Sequence, residues 1–115
     1  MSWSIWHNPR CRKSRETLAL LSTNGVEPSV RLYLEDHPSA QEIEDVLHIL
    51  GIKASELIRR KETLFKELGL RDAGTDEARL LSAMVEYPKL IERPIVIHGK
   101  KGVLGRPPEN VLKLL

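Results

Sequence analysis

The chain has 115 residues, 41% hydrophobic and 30% charged, with 18 Lys and Arg against 16 Asp and Glu for a formal net charge of +2. That length fits one domain over residues 1–115 with a real core and excludes two independent ones, and no apolar run approaches the roughly 20 residues of a membrane-spanning helix. Cations spread along the whole chain, with only 2 Trp, 2 Tyr and 1 Phe available for stacking, argue against nucleic acid as a partner.

Residues 3–7, Trp-Ser-Ile-Trp-His, are aromatic and β-branched and run into Asn8-Pro9, which predicts a strand ending in a turn. From Ser14, the apolar Leu18, Leu20 and Leu21 among good helix formers predict a helix that Asn24-Gly25 closes. Residues 29–35 alternate as a strand, with Val30, Leu32 and Leu34 on one face. Next come Ser39 and Glu42 at capping-box spacing, then Ile43, Val46, Leu47 and Leu50 at helical spacing, stopped by Gly51. Further helices are expected over Glu62–Leu68, before Gly69, and from Thr75 to about Glu86, where Leu80, Leu81 and Met84 are apolar. Residues 39–88 therefore read as a helical block. After it the sequence predicts a strand, a Gly-Lys-Lys-Gly connection over 99–102, a short second strand and a terminal helix opened by Pro107-Pro108. The order βαβ, helices, ββα is α/β and matches a thioredoxin-like fold, a small mixed sheet flanked by helices, with a helical insertion between its halves.

Chemistry concentrates in His-Asn-Pro-Arg-Cys-Arg-Lys-Ser-Arg-Glu-Thr-Leu, residues 7–18, around the single cysteine, Cys11. The N-terminal decapeptide lacks the basic region, apolar stretch and cleavage site of a secretory signal, so a reducing cytoplasmic location is expected, where one cysteine stays a thiol. The strand-to-helix reading puts Cys11 at the first turn of a helix, where backbone N–H groups and the macrodipole favour an anion. A free thiol has a pKa of about 8.5 and is only a few per cent ionised at neutral pH. A helix terminus supplies only about 0.3–1 kcal/mol toward ionisation, so nearby cations must supply the rest. Arg10, Arg12, Lys13 and Arg15 are within sequence reach, His7 is a further candidate, and the Ser14 hydroxyl is a possible donor to the sulfur. A buried filler cysteine would have apolar neighbours; this one lies among cations, as a reactive thiol does.

Spacing excludes two other thiol architectures. Position 14 is Ser, so no dithiol pair can close, and position 17 is Thr where a cysteine phosphatase loop would have Arg. An oxidised Cys11 must therefore be resolved by another molecule. His7, His37, His48 and His98 lack the close spacing of a zinc site, and no metal is expected.

Residues 7–18, together with Leu-Ile-Arg-Arg-Lys-Glu-Thr-Leu-Phe-Lys-Glu-Leu-Gly-Leu (57–70), Tyr-Pro-Lys-Leu-Ile-Glu-Arg-Pro-Ile-Val-Ile-His-Gly (87–99) and Gly-Arg-Pro-Pro-Glu-Asn-Val-Leu-Lys-Leu-Leu (105–115), resemble the glutaredoxin-linked arsenate reductases, the ArsC family. The resemblance covers essentially the whole chain. It implies that Cys11 is the nucleophile and that Arg59, Arg93 and Arg106 surround the oxyanion; His7, Ser14 and Arg15 are expected, from their places around Cys11 in the sequence, to activate the thiolate. It further implies arsenate as substrate, glutathione as co-substrate with no bound cofactor, and glutaredoxin as partner; a monomer is expected. In thioredoxin-like folds the position of Pro94 resembles the cis-proline that faces the cysteine, so a cis Arg93-Pro94 bond is expected. Arg12-Lys13 departs from the small or neutral residues that well-studied family members carry after the cysteine; the extra charge is expected either to favour the thiolate further or to bind carboxylates of glutathione or of a protein disulfide partner. Two alternatives are a glutathione-dependent thiol oxidoreductase of the same fold and an Spx-like transcriptional regulator. The CxxC switch typical of the latter is absent at Ser14.

Overall fold

The computed structural model describes residues 2–73 and 76–115, which form two compact units. One combines the chain up to Asp36 with Arg93–Leu115, and the other is the insertion His37–Glu92.

In the first unit, β1 (Trp3–Trp6), α1 (Arg12–Thr23) and β2 (Ser29–Arg31) are followed, after the insertion, by β3 (Ile95–His98), β4 (Lys101–Leu104) and a 3-10 helix, Pro108–Leu114. The sheet order is β2-β1-β3-β4, with β2 parallel to β1, and β3 antiparallel to both β1 and β4. This is the expected α/β, thioredoxin-like arrangement. Ile5 is paired with Val96, and both side chains are fully buried with Leu21 of α1 and Val111 and Leu114 of the 3-10 helix. Two helices are thereby held on one sheet face by a continuous apolar cluster, each buried aliphatic side chain contributing about 1.5–3 kcal/mol.

Three details differ from the sequence reading. The strand expected over 29–35 ends at Arg31, because Glu35 and Asp36 N–H groups both turn back to the Leu32 carbonyl, at 2.9 and 2.8 Å. Val30 and Leu34 are consequently exposed, while Tyr33, which strict alternation would point outward, is fully buried. The connection after β3 is only Gly99-Lys100, since Lys101 and Gly102 pair in β4 opposite His98 and Ile97. The terminal helix is 3-10 rather than α.

The insertion contains α2 (Ala40–Leu50), α3 (Ala54–Leu57), α4 (Thr63–Glu67) and α5 (Glu77–Glu86). The capping box at Ser39 is complete: its Oγ accepts the Glu42 N–H at 3.1 Å and Glu42 Oε1 accepts the Ser39 N–H at 3.0 Å. Gly51 ends α2 at φ 67°, a left-handed conformation that suits glycine. Asp76 caps α5; the expected start at Thr75 lies outside the described residues. The unit extends past the expected 39–88 because residues 88–92 are strapped back onto it. Arg59 N–H donates to the Leu90 carbonyl at 2.7 Å and Glu92 N–H to that of Leu57 at 2.9 Å, around an Ile58–Ile91 bridge. No helix among the described residues is long and apolar enough to cross a membrane.

Candidate active site

Strand β1 carries the chain to the end of the sheet, and Asn8-Pro9-Arg10 turns it into α1. Asn8 organises that turn: its carbonyl accepts the Cys11 N–H and its Oδ1 accepts the Arg10 N–H, both at 3.0 Å. Cys11 then takes the N-cap position with extended backbone (φ −93°, ψ 121°), and the Arg15 N–H returns to its carbonyl at 3.0 Å. The helix begins at Arg12, two residues before the sequence reading placed it. Its first turn carries no carboxylate, so the half-buried thiol meets the positive end of the helix dipole uncompensated.

The cation that reaches the sulfur comes from far along the chain. Arg106 Nη1 stands 4.0 Å from Cys11 Sγ, at the long limit of an N–H···S contact, and the same nitrogen donates to the Arg93 carbonyl at 3.4 Å. Arg93 and Arg106 each precede a cis-proline, Pro94 and Pro107. The first of these cis bonds was expected and the second was not. The Arg106 side chain, the Arg93 backbone and Cys11 are thus brought together by the segments before β3, after β4 and before α1.

The cations adjacent in sequence are placed differently. Arg12 is ion-paired with Glu16 at 2.8 Å, and Lys13 reaches the same carboxylate at 3.9 Å. Arg15 Nη1 donates to the Pro9 carbonyl at 2.9 Å. Ser14, fully buried, accepts the Asn8 N–H at 3.1 Å and shares a 2.6 Å hydrogen bond with His7 Nδ1, whose direction follows the imidazole tautomer. Burial, and secondarily the Arg15 charge, hold the His7 pKa below its ordinary 6.5, so the neutral ring is favoured. His7, Ser14 and Arg15 therefore brace the loop from three sides, and among the described residues none of them hydrogen-bonds to Sγ.

Arg59 belongs to the insertion, where Glu62 and Glu92 hold its guanidinium at 3.1 and 3.4 Å. No group of three His, Cys, Asp or Glu side chains suited to a metal ion occurs among the described residues.

Sequence reasoning missed two supporting residues, Thr17 and Gly105. Thr17 is fully buried on α1 and its hydroxyl contacts two carbonyls, Lys13 at 2.8 Å and Gly105 at 3.2 Å. The Gly105 N–H donates to the Pro94 carbonyl at 2.9 Å. Glycine is required there by space: a Cβ at 105 would stand 2.6 Å from Thr17 Oγ1 and 2.7 Å from Pro94 Cγ. The available signals were a glycine directly before Arg106-Pro107 and a threonine one helical turn beyond Ser14.

The family model described as the ArsC family matches residues 6–114. An uncharacterized Escherichia coli K12 protein, YfgD, is 56% identical over 96% of this chain and 94% of its own length. An arsenate reductase of Haemophilus influenzae is 47% identical over the full length of both chains. The structure of an arsenate reductase from Vibrio cholerae superimposes with a TM-score of 0.95 at 49% identity, covering 100% of this chain and 98% of that one.

Proposed function

The chain belongs to the ArsC family, and from that membership we propose that it is an arsenate reductase working through one cysteine, with glutathione and glutaredoxin as reductants. The observation that carries this reading is the pairing of an N-capping cysteine with the Arg106 guanidinium at 4.0 Å from its sulfur. Once the thiol has reacted, such a site neutralises an oxyanion attached to it.

The Cys11 sulfur attacks arsenic in dihydrogen arsenate; an S–As bond forms, an As–O bond breaks, and water leaves with the thiol proton. Arg106 and Arg93 neutralise the arsenate oxygens, and the family pattern adds Arg59 to this set. Glutathione thiolate then attacks the Cys11 sulfur. An S–S bond forms, the S–As bond breaks, and its electron pair stays on arsenic, which is reduced from the pentavalent to the trivalent state as each sulfur gives up one electron. Arsenite departs with the glutathione proton. A further thiol exchange, through glutaredoxin, returns Cys11 to the thiol. The absence of a second cysteine agrees with a resolving thiol from outside the chain.

The test is arsenate-dependent NADPH consumption in the presence of glutathione, glutaredoxin and glutathione reductase, comparing the protein with Cys11→Ser. Turnover that disappears in the variant while circular dichroism is unchanged supports the proposal. Equal rates from both proteins overturn it, and Cys11-dependent disulfide exchange without arsenate turnover would assign a thiol oxidoreductase instead.

A further inference from the structure

We propose that a cleft beside the nucleophile seats the peptide of glutathione, with Glu35 receiving its ammonium and Arg10 a carboxylate; this rests on the reading that glutathione resolves Cys11. The cleft has a volume of about 270 Å³ and is walled by His7, Asn8, Pro9 and Arg10 on one side and by Leu32, Leu34 and Glu35 on the other. That volume lies at the small end for ligand sites, the scale of a short peptide. One wall is the turn that leads into Cys11, whose N–H is bound to the Asn8 carbonyl, so the cleft is lined up to the residue that precedes the nucleophile.

The charges decide what fits. Arg12 and Lys13 share the single carboxylate of Glu16, at 2.8 and 3.9 Å. Arg10 and Glu35 differ: both are exposed, and among the described residues neither side chain has an ion pair or hydrogen bond. The same cleft is lined by Pro9, Leu32 and the exposed Leu34. A cation and a carboxylate lining one cleft together with apolar side chains match a zwitterionic thiol peptide, which carries both an ammonium and carboxylates. An anionic arsenate has no use for Glu35, so the arsenate side of Cys11, at Arg93 and Arg106, and this thiol side are chemically distinct.

Glutathione disulfide tests the cleft without arsenate. The Cys11 thiolate attacks one of its sulfurs, the S–S bond breaks, a Cys11–glutathione disulfide forms and glutathione thiolate leaves. The rate of adduct formation, read by mass spectrometry, is compared with that for the uncharged bis(2-hydroxyethyl) disulfide. Recognition through the cleft predicts that Glu35→Gln slows reaction with glutathione disulfide about threefold to fivefold relative to the uncharged reagent. Bulk electrostatics predicts the opposite sign, because glutathione disulfide is net anionic and the variant removes a negative charge. Arg10→Gln should likewise lower the ratio of the two rates. Titration of the full chain with S-methylglutathione, which cannot react, should shift amide resonances of residues 7, 8, 10 and 32–35. An unchanged or raised rate ratio in Glu35→Gln, or shifts elsewhere only, overturns the proposal, as does a defect in Glu35→Gln confined to glutaredoxin-supported turnover, which would place a protein partner here. Selective slowing in a protein without arsenate turnover would retain the cleft and sink only the arsenate reading.

Discussion

Replacing Gly105 with alanine should damage the stability and the chemistry of the first unit together. The added methyl would stand 2.6 and 2.9 Å from Oγ1 and Cγ2 of Thr17 and 2.7 Å from Cγ of Pro94. All three distances are well inside carbon–carbon or carbon–oxygen contact, so the β-branched Thr17 and the Pro94 ring must move apart by roughly half an ångström or more. Neither is the loose end of a flexible chain. Thr17 is buried on α1 with its hydroxyl bonded to the Lys13 and Gly105 carbonyls, and the Pro94 carbonyl accepts the Gly105 N–H at 2.9 Å. Overpacking of this kind costs about 1–3 kcal/mol, and a buried hydrogen bond lost in the process adds about 1 kcal/mol. A total of about 2–4 kcal/mol lowers Tm by roughly 8–16 °C in a chain of this size.

Urea denaturation of Gly105→Ala, in the background of wild type and of Thr17→Ala, measures the effect and its origin. Thr17→Ala removes two of the three atoms nearest the added methyl, Thr17 Oγ1 and Cγ2, so the cost of the second substitution should fall by about 1 kcal/mol or more. Because Gly105 immediately precedes Arg106, displacement of the loop should also slow alkylation of Cys11 by iodoacetamide. A Gly105→Ala protein within about 0.5 kcal/mol of wild type, with an unchanged alkylation rate, would refute the close-approach argument. So would strict additivity with Thr17→Ala.

His7 supplies a pH dependence. Its pKa is lowered in the folded state by burial first and by Arg15 second, so the unfolded chain takes up the proton more readily. Its stabilising contribution is complete above the unfolded value of 6.5 and is lost as pH falls from there through the lower folded value. Urea midpoints should decline across that window, and His7→Gln should flatten the decline; an unflattened profile would assign it to other groups. Arg106→Ala should reduce kcat/KM for arsenate about tenfold or more, as expected for loss of a charged hydrogen bond, and slow Cys11 alkylation as well. Arg59→Ala should raise the KM for arsenate by a similar factor while costing at most about 1 kcal/mol in stability through its exchange of Glu62 and Glu92 for water. Unchanged KM would leave Arg59 as a link between those two carboxylates.

The elements that were legible in sequence are those specified by local physics. Ser39, Glu42 and Gly51 set α2 within one residue of its expected limits, because a capping box and a left-handed glycine act within a few residues of themselves. Alternation failed at 29–35 because it assumes a partner on the flank for the whole length, and β2 is an edge strand that pairs only through Arg31 before the chain turns at Leu32. The contact between Arg106 and Cys11 spans 95 positions, and nothing local encodes it. Family resemblance named that arginine, while the steric reason for its position, a glycine fitted between Thr17 and Pro94, requires coordinates.

Charge proximity along the chain proved a poor guide to charge proximity at the sulfur. Arg12 and Lys13 flank Cys11 in sequence, yet a helix sends successive side chains about 100° apart, and at positions i and i+4, or i and i+3, each finds Glu16 first. Arg15 is committed to the Pro9 carbonyl and Arg10 borders the cleft on the other wall of the turn. The loop therefore divides its cations by task. Arg15 fixes the loop, Arg12 and Lys13 cover the helix surface with Glu16, and Arg10 remains open to a ligand. The charge that faces Cys11 is brought by Arg106, whose place depends on β3, β4 and Gly105 being packed against α1. Reactivity of this thiol is in that sense a tertiary property, and substitutions that loosen the Gly105 contact should lower it even where residues 7–18 are untouched.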